Sequence, residues 1–361
     1  MLTSCSRKQH RDNLQVVLSC FLEALGVSRF HASTAKSPGA ISRFLNHQRW
    51  SLRTLLRVMR QHALDTFQAY LRGRRGRPPL IEVIVDTTSI AKEGVFAELD
   101  GWIHTLNRVR GLHVVLLYLC CGDLRLPWGF KIWRGKATSS PSDLALRLVQ
   151  QLPPTIRSRA KQVHLLADAG FGSAAFMSGV RALGLDFTVG MRADRLTVDG
   201  QRLKDITAQQ RCVFLRGLSD LPLWLYWVWL PAKQGERQEQ RFLVSSRQRT
   251  PRTAQQTGRR RWKIEALFKT LKSRFAFGNF GQKTKLGVLR YLCLSLACFL
   301  LCHFEHLDQL GSGQAESAWP DWGTLARQVR QKFVGWVPLF ELEREREQIL
   351  VVWDENQHYA A

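Results

Sequence analysis

Two short apolar runs that each end in an aspartate constrain the fold of this chain more than any other feature. Residues 81–85 and 163–167 are mostly apolar and have the length of buried β-strands, and Asp86 and Asp168 follow them directly. A third acid, Glu265, lies in a very basic segment with helical spacing. Two strands and a helix can bring carboxylates that are distant in sequence together around divalent metal ions. We therefore expect Asp86, Asp168 and Glu265 to form one site.

The chain is strongly basic. Its 361 residues include 53 Lys or Arg and 29 Asp or Glu, which gives a formal net charge of +24. The positive charge is concentrated: residues 247–274 hold ten Lys or Arg and one acid, and residues 1–78 hold fourteen and three. A large positive field attracts polyanions, of which DNA and RNA are the most common. We expect a nucleic acid partner, although a solvated basic surface or an acidic protein partner would have the same composition.

Composition and cysteine usage indicate a folded protein of the reducing cytoplasm. Hydrophobic residues make up 45% of the chain and charged residues 23%, as in globular proteins. The eight cysteines form no CxxC pair and no Cys/His spacing of a zinc site. The first apolar run, 14–25, is not typical of a signal peptide. The apolar run 291–304 is short for a bilayer, so we expect a buried core helix there and no membrane.

The first 75 residues are predicted to be helical. Apolar positions recur at helical spacing in 14–25 and 52–70, and residues 37–40, Ser-Pro-Gly-Ala, are typical of a turn. Short helices joined by turns in a basic segment suggest a DNA-binding module of the helix-turn-helix type, and a plain helical packing module is the alternative. Residues 71–79 contain four Arg together with Gly and Pro, which predicts a linker.

From residue 80 onward the pattern predicts an α/β layer fold with a mixed sheet. We expect a first core segment over 80–191, a β-rich insertion over 192–250, a second core segment with the Glu265 helix over 251–310, and a helical tail over 311–361. The predicted strands are 81–85, 112–121, 130–134, 163–167, 186–191, 211–215, 223–230 and 240–245. The predicted helices are 142–151 with Ser140 or Ser142 as its cap, 173–183 with Ser173 as its cap, and a charged solvated helix at 341–347.

Three acids in this arrangement suit phosphodiester chemistry. Two Mg²⁺ ions about 4 Å apart can activate a nucleophile, stabilise the leaving oxygen and neutralise charge. Mg²⁺ prefers hard oxygen ligands and keeps several waters, so two or three carboxylates are enough. We expect Asp86 to bridge the two ions, Asp168 to complete one site and Glu265 to close the other. This chemistry needs no histidine or serine nucleophile, so His104 and His113 are expected to be structural.

The helix around Glu265 carries cations on the same face as the acid. Arg261 lies four residues before Glu265 and Lys272 seven residues after it, and these positions share one face at 3.6 residues per turn. A neighbouring apolar stripe would pack the helix on the sheet; it consists of Ile264, Leu267, Leu271 and Phe275. Cations beside a carboxylate fit a site that holds a phosphate close to a metal. Ordinary ion pairing on a solvated helix is the alternative.

Three motifs surround the three acids. They are Val-Asp86-Thr-Thr-Ser, Asp168-Ala-Gly-Phe-Gly-Ser, and Arg261-Trp-Lys-Ile-Glu265 followed by Lys272. Together they resemble the motifs of the DDE transposases of bacterial insertion sequences, in particular the IS4-like group. The resemblance covers about residues 80–305. It implies a ribonuclease H-like core with a β-rich insertion between the second and third acids.

The resemblance also implies a partner, a cofactor and a reaction. The reaction is Mg²⁺-dependent cutting of DNA at the ends of an insertion sequence and joining of those ends to target DNA, with Mn²⁺ as a substitute ion. The implied partners are terminal inverted repeats, target DNA and a second copy of the chain, at the nucleoid of a prokaryotic cell. The family signature is Tyr, two residues, Arg, three residues, Glu, six residues, Lys. Arg261, Glu265 and Lys272 match it, and Gly258 stands at the tyrosine position. By resemblance, Arg261 and Lys272 contact phosphates near the cut end.

Two other functions stay open from the sequence. One is a ribonuclease H-like nuclease that cuts DNA without strand transfer, and the Arg261 and Lys272 flanks favour a transposase over it. The other is a non-catalytic DNA-binding protein derived from a transposase, and the presence of all three acids argues against it. The aromatic residues of 224–229 could stack on an extruded base, or they could simply fill a doubly buried strand.

Overall fold

The computed structural model describes residues 2, 5–23, 25–28, 30–33, 35–72, 76, 79–94, 96–230, 239–313, 320–332 and 346. The chain divides into two compact units. Residues 1–59 and 270–361 form the first, here called the helical unit, and residues 60–269 form the second, here called the sheet unit.

Within its described residues, the sheet unit contains nine strands in one mixed sheet. The strands are β1 Ile81–Ala91, β2 His104–Leu106, β3 Val109–Cys121, β4 Leu124–Trp133, β5 Val163–Ala167, β6 Asp186–Met191, β7 Arg211–Leu215, β8 Leu218–Leu230 and β9 Glu239–Ser245. Their order in the sheet is β2-β3-β1-β5-β6-β9-β8-β7, and β4 pairs with β3 as well. The helices that lie wholly in this unit are α4 Pro141–Gln150, α5 Pro154–Arg157, α6 Ala174–Ala182 and α7 Pro251–Arg260.

The pairing directions place β1 in the middle of the sheet. β1 pairs antiparallel with β3 and parallel with β5, and β5 pairs parallel with β6. The parallel ladder between β1 and β5 ends at the pair of Val85 and Ala167. β5 and β6 are buried along their whole length and β1 and β3 along most of theirs, as expected for strands that are covered on both faces. The predicted mixed α/β fold is confirmed.

β1 is longer than its apolar run predicts. We expected the strand to end at Asp86, but it continues to Ala91 and stays paired with β3 as far as the pair of Ala91 and Gly111. The prediction is wrong because the β-branched residues after Asp86 suit a strand and still have β3 as a partner, although β5 has already ended. Asp86 therefore lies at the point where β1 loses its neighbour on one edge only.

Two further strands begin well before the predicted residue, and in each the added segment contains a proline, which argues against a strand in sequence reasoning. β4 begins at Leu124 and not at residue 130, and it includes Pro127 where its register with β3 shifts. β8 begins at Leu218 and not at residue 223, and it includes Pro222 close to a register shift against β7. Proline lacks a backbone donor and is tolerated in strands at such irregularities. A sequence pattern cannot show where a bulge will accept it.

Two helices that pack on the sheet, α4 and α6, begin at serine caps. The Ser140 side chain accepts a hydrogen bond from the Asp143 backbone N–H, and the Asp143 carboxylate accepts one from the Ser140 N–H. Of the two predicted cap residues of α4, Ser140 is therefore the cap, and the Ser142 hydroxyl donates to the Gly170 carbonyl across 3.2 Å. Ser173 caps α6, as predicted. These contacts fix the turn that follows β5.

The helical unit contains α1 Lys8–Phe21, α2 Pro38–Asn46, α9 Lys285–Gly311 and a helix over 322–332. The boundaries between the two units fall within two further helices, α3 Leu52–Arg72 and α8 Lys263–Arg274. Among the described residues, α9 is the one helix long and apolar enough to cross a membrane, and 83% of its most apolar window is buried inside the protein. The expectation of a buried core helix at 291–304 is therefore confirmed.

A buried arginine organises the helical unit. Arg290 of α9 is 2% exposed, and its guanidinium donates to the backbone carbonyls of Phe44, Leu45, Gln48 and Trp50. The last carbonyls of a helix have no partner within the helix, so a side chain from elsewhere must satisfy them when they are buried. Arg290 therefore caps the C-terminal end of α2 and holds the turn that leads into α3.

Two predicted segments fall partly or wholly outside the described residues. α3 extends into the predicted linker as far as Arg72, and residues 73–75, 77 and 78 of that linker lie outside the described part. The predicted charged helix at 341–347 lies outside it except for Arg346. The functional boundaries predicted for the domains stay predictions.

Candidate active site

The sheet brings Asp86 and Asp168 to adjacent positions. Val85 and Ala167 are paired in the parallel ladder between β1 and β5, and each aspartate is the next residue along its chain. Neighbouring strands lie about 4.8 Å apart, so the two carboxylates project from adjoining backbones. The Asp86 carboxylate accepts a hydrogen bond from the Thr87 backbone N–H across 2.7 Å. It is mostly buried, with 8% of the residue exposed.

A tight turn after β5 orients Asp168. The Asp168 carboxylate accepts a hydrogen bond from the Gly170 N–H across 2.9 Å and so caps a single helical turn over Ala169–Phe171. This turn lies directly against β6. A Cβ at Gly190 would stand 2.7 Å from the Ala169 backbone nitrogen, which no ordinary contact allows. Glycine at 190 thus lets β6 approach the backbone that presents Asp168.

Arg261 connects Glu265 with Asp86. One guanidinium nitrogen donates to the Asp86 Oδ2 atom and another to the Glu265 Oε1 atom, each across 2.6 Å. Arg261 lies between α7 and α8, and Glu265 lies in the first turn of α8. The guanidinium fork matches two carboxylate oxygens at once. The structure therefore brings Asp168 and Glu265, which are 97 residues apart in the sequence, to the vicinity of the same Asp86 side chain.

The electrostatics of Asp86 reflect this crowding. Burial is the largest cause that raises the pKa of Asp86 to about 7, and the neighbouring Asp168 carboxylate raises it further. The Arg261 guanidinium and the Thr87 N–H lower the pKa of Asp86, and Glu265 raises it slightly. Without more positive charge nearby, Asp86 therefore loses its proton at a higher pH than an ordinary aspartate does. A divalent cation is the kind of partner that would supply such charge.

The donor set fits a hard divalent cation in chemistry, and the arrangement of the side chains fits it in part. Carboxylate oxygens are the ligands that Mg²⁺ prefers, and Asp86 and Asp168 offer them from adjoining strands. In the part of the chain that the structure describes, no group of three or more His, Cys, Asp or Glu side chains is arranged to hold a metal ion. Glu265 is instead paired with Arg261. The exposed Glu265 carboxylate would have to turn away from Arg261 to become a third metal ligand.

A cavity of about 570 Å³ adjoins the acids. Asp168, Arg261 and Glu265 are among its lining residues, and so are Trp229 of β8 and Trp262. These two indole side chains are among the large apolar groups that remain exposed, at 54% and 46%. The cavity is lined mainly by apolar surface with arginines among the lining residues. It can accept a flat, partly apolar group next to the carboxylates.

The aromatic stretch on β8 divides into core residues and one cavity residue. Tyr226 and Trp227 are buried, and the Tyr226 hydroxyl exchanges hydrogen bonds with the backbone of Arg249. Of the four aromatic residues between 224 and 229, Trp229 is the one that lines the cavity. Base stacking by Trp229 stays a prediction. Burial accounts for Tyr226 and Trp227, whereas Trp229 faces space beside the acids.

Gly258 also lines the cavity, and it packs closely on the sheet. A Cβ at this position would stand 2.7 Å from the Leu243 Cδ1 atom of β9. The chain therefore has α7 nearer to β9 than a larger residue would permit unless the Leu243 side chain moved. This is the position at which the sequence departs from the family signature. The structure thus places open cavity space beside Gly258, where the signature has a tyrosine.

Lys272 lies on α8, two turns beyond Glu265, and burial lowers its pKa. A role for Lys272 in phosphate binding stays a prediction. The same holds for Arg261, whose guanidinium contacts carboxylates in this structure. Of the two histidines that we expected to be structural, His113 is held by local hydrogen bonds. His113 is buried, and its ring nitrogens contact the Ser89 hydroxyl across 2.8 Å and the His104 carbonyl across 2.9 Å.

Sequence reasoning missed Glu82 and its two partners. Glu82 is a buried acid on β1, and it pairs with Arg260 and Lys263 at the junction of α7 and α8. A signal was present, because a charged residue within a run of buried strand residues needs a partner of opposite charge. The sequence could not show which of the many cations would supply it.

The comparison with known families agrees with this architecture. The sequence profile of the transposase DDE domain matches residues 78–301, which is more than half of the 361-residue chain. No curated protein sequence matches the chain. The matched region contains the whole nine-stranded sheet and all three acids, and it confirms a ribonuclease H-like transposase core. Within this region β1 and β5 present two aspartates side by side, and α8 presents the glutamate. The chain therefore belongs to the DDE transposase family.

Proposed function

We propose that this protein cuts DNA at the ends of an insertion sequence and transfers the cut ends to target DNA, with Asp86, Asp168 and Glu265 as its metal-binding catalytic residues. The observation that supports this most is the contact geometry around Asp86. Asp168 adjoins it through the parallel pairing of β1 and β5, and Arg261 links it to Glu265. An IS4-like transposase is the specific type that the motifs favour.

The three carboxylates would hold two Mg²⁺ ions, or Mn²⁺ as a substitute. When bound, such ions activate the attacking oxygen, stabilise the leaving oxygen and neutralise the charge of the phosphate. Asp86 would hold the ions together with Asp168 and Glu265, because it adjoins Asp168 and is linked to Glu265 through Arg261. The backbone N–H groups of Thr87 and Gly170 hold the two aspartates in place.

The reaction has two balanced steps. Water attacks the phosphorus atom at the end of the element while the bond from phosphorus to the 3′ oxygen breaks. The 3′ oxygen gains a proton, the attacking water loses one, and a 5′-phosphate and a 3′-OH result. That 3′-OH then attacks a phosphate of the opposite strand or of target DNA while the bond from that phosphorus to its own 3′ oxygen breaks. The attacking hydroxyl loses a proton and the released 3′ oxygen gains one, so one phosphodiester bond replaces another without an external energy source.

Arginine 261 has a second role in this proposal. Its side chain is 19% exposed, and its guanidinium pairs with carboxylates that metal ions would otherwise neutralise. A guanidinium binds a phosphate in the same forked manner as it binds a carboxylate. We therefore expect Arg261 to exchange one carboxylate for a phosphate near the cut end. Lys272 would contribute a second phosphate contact.

The charge of the chain supports DNA as the partner. Exposed arginines extend along α2 and the first turns of α3, in the segment predicted to be a DNA-binding module; they are Arg43, Arg49, Arg53 and Arg57. No Asp or Glu occurs between residues 24 and 64. Such a surface binds the phosphate backbone through release of counterions. We expect a homodimer to bind the two terminal repeats, in the cytoplasm of a prokaryotic cell.

The decisive experiment uses linear DNA that carries the terminal repeats flanking the open reading frame. The protein is incubated with this DNA in Mg²⁺ or in EDTA, with or without a target plasmid. Nicks confined to the repeat boundary, followed by joining to the plasmid, support the proposal. Mg²⁺-dependent cutting at random positions without joining would instead identify a nuclease. Binding without cutting would identify a non-catalytic DNA-binding protein.

A further inference from the structure

Glu82 is a buried carboxylate that the proposed chemistry does not use. It is 4% exposed and lies on β1, four residues before Asp86. Side chains alternate along a strand, so Glu82 and Asp86 point to the same face of the sheet. A charged group in such a position is destabilising unless cations neutralise it. The partners of Glu82 therefore indicate what the residue does.

Glu82 binds both sides of the junction between α7 and α8. Its Oε1 atom accepts a hydrogen bond from Arg260, the last residue of α7, across 3.2 Å. Its Oε2 atom pairs with the ammonium group of Lys263, the first residue of α8. Arg261 and Trp262 are the only residues between these two cations. One carboxylate thus clamps the ends of a two-residue connection.

The junction needs such a clamp because its backbone is irregular. The N–H groups of Arg261, Trp262, Ile264 and Glu265 each donate to a carbonyl three residues earlier, as in a tightened turn and not as in a continuous α-helix. Backbone hydrogen bonds therefore constrain the direction of α8 relative to α7 less than they would in one continuous helix. Glu265 lies only two residues after Lys263, so the direction of α8 decides where its carboxylate points.

We propose that Glu82 is a positioning residue for the metal-binding site: it fixes the α7–α8 junction on β1 and so holds Arg261 and Glu265 beside Asp86. This inference rests on the proposed function, because it assigns Glu82 a part in the affinity of that site for divalent cations. Glu82 does not contact the reacting atoms. It acts through Arg260 and Lys263 on the orientation of Glu265.

The test compares two substitutions that remove equivalent buried charges. Glu82→Gln is the test variant. The control is Asp186→Asn, because Asp186 is also 4% exposed, lies on the same sheet and pairs with two arginines, Arg181 and Arg247. Mn²⁺ affinity is measured on DNA-free protein by electron paramagnetic resonance, and thermal unfolding is measured in EDTA. Both variants should unfold at lower temperature than the wild type. Mn²⁺ affinity should fall about tenfold in Glu82→Gln, as for outer-shell residues at metal sites, and stay unchanged in Asp186→Asn.

A double-mutant cycle separates positioning from a general loss of stability. In a Glu265→Gln background the group that Glu82 positions has already lost its charge. Glu82→Gln should then have no further effect on Mn²⁺ affinity, whereas two independent losses would multiply. Multiplicative losses would overturn the proposal, and so would equal weakening in Glu82→Gln and Asp186→Asn.

Lys263→Met is a milder substitution that can be measured if Glu82→Gln does not fold. Lys263→Met removes one of the two clamping cations and leaves Glu82 paired with Arg260. It should weaken Mn²⁺ binding in the same direction but less, and unchanged affinity would overturn the proposal. The Mn²⁺ affinity of the wild type separates failure of the proposed function from failure of the role of Glu82 alone. Wild-type protein that binds no Mn²⁺ would overturn both the metal-dependent function and this inference, whereas normal binding by the Glu82 and Lys263 variants would overturn this inference alone.

Discussion

The Arg261 guanidinium donates to the Asp86 carboxylate across 2.6 Å, although the two residues are 175 positions apart in the sequence. The contact joins the connection between α7 and α8 to the central strand. It also means that a cation contributed by the protein already stands between two of the three proposed metal ligands. Metal binding, phosphate binding and the position of Arg261 should therefore depend on one another.

Substitution of the acids should separate cleavage from folding and from DNA binding. Asp86→Asn, Asp168→Asn and Glu265→Gln should each abolish cleavage of terminal-repeat DNA while DNA affinity stays close to that of the wild type. Asp220→Asn is the control, since Asp220 is an exposed carboxylate on β8 that contacts the neighbouring Ser219 hydroxyl. Retained cutting by any of the three variants would remove that residue from the site. A gel-based cleavage assay in Mg²⁺ and a binding assay in EDTA measure the two properties.

Asp86→Asn should also stabilise the metal-free protein. Burial and the Asp168 carboxylate raise the pKa of Asp86 to about 7, so the charged form destabilises the native state at pH 8. Removal of that charge should raise the free energy of unfolding in EDTA by about 1–3 kcal/mol. Denaturant unfolding of the variant and the wild type at pH 8 measures the difference. A lower free energy of unfolding for the variant would show that the contact of Asp86 with Arg261 outweighs the cost of its burial and of its repulsion by Asp168.

Removal of the two proposed phosphate contacts should change the salt dependence of DNA binding. Arg261→Ala and Lys272→Ala should each weaken binding to terminal-repeat DNA and reduce the slope of log affinity against log salt by about 1. Arg181→Ala is the matched control, because Arg181 pairs with Asp186 at the other end of β6. Titrations at several salt concentrations measure the slope. An unchanged slope for Arg261→Ala would mean that this side chain serves the carboxylates alone.

Trp229 offers a test of what enters the cavity beside the acids. If an unpaired base at the cut end stacks on this exposed indole, Trp229→Ala should weaken binding to DNA with unpaired terminal bases by about 1–3 kcal/mol. Binding to fully paired DNA should change much less. Phe214→Ala is the control, since Phe214 is an exposed aromatic residue on β7 that does not line the cavity. Equal effects of the two substitutions, or equal effects on paired and unpaired ends, would contradict stacking at Trp229.

His164 predicts how stability depends on pH. Burial, assisted by Arg249, Arg247 and Arg260, lowers the pKa of His164 to about 3. The unfolded chain takes up a proton near the ordinary value of 6.5 whereas the native state does not. The free energy of unfolding should therefore fall as the pH decreases below about 6.5, by up to about 1.4 kcal/mol per pH unit from this group. His164→Gln should show a shallower decrease in denaturant unfolding between pH 7 and pH 4, and parallel curves would contradict the assignment.

The thermal stability of the helical unit should depend strongly on Arg290. Arg290→Met leaves four backbone carbonyls without their donor, and each buried carbonyl left unsatisfied costs about 1–3 kcal/mol. Arg290→Lys restores the charge but only three donors, so an intermediate loss is expected. Arg43→Met, on the exposed face of α2, should have little effect. Thermal unfolding followed by circular dichroism ranks the three variants, and equal midpoints for Arg290→Met and Arg43→Met would contradict the capping role.

The outline of the fold and the meeting of the acids could be predicted because both follow from local patterns. An apolar strand run followed directly by an acid, repeated once, predicts two neighbouring strands that bring both acids together, and the pairing of Val85 with Ala167 agrees with this. A serine before a helical pattern predicts a cap, as at Ser173. Such signals depend on residues that are neighbours in sequence.

The remaining features depend on contacts between distant segments. The continuation of β1 to Ala91 requires β3 as a partner, and Pro127 is accepted in β4 only because the ladder is irregular there. Likewise the sequence shows that Arg261 and Glu265 are four residues apart, but not that the same guanidinium reaches Asp86. Glu82 was missed for the same reason, since its partners come from a segment about 180 residues away.

Because Glu82 and Asp86 lie on the same face of β1, the contacts of both acids depend on one register of this strand. A slip by one residue would turn both carboxylates to the opposite face and away from all three of their cationic partners. Only the native alignment satisfies both acids at once, so correct strand pairing and assembly of the acidic cluster are a single event. A copy of the chain with a shifted β1 would therefore lack the acidic cluster on which the proposed cleavage depends.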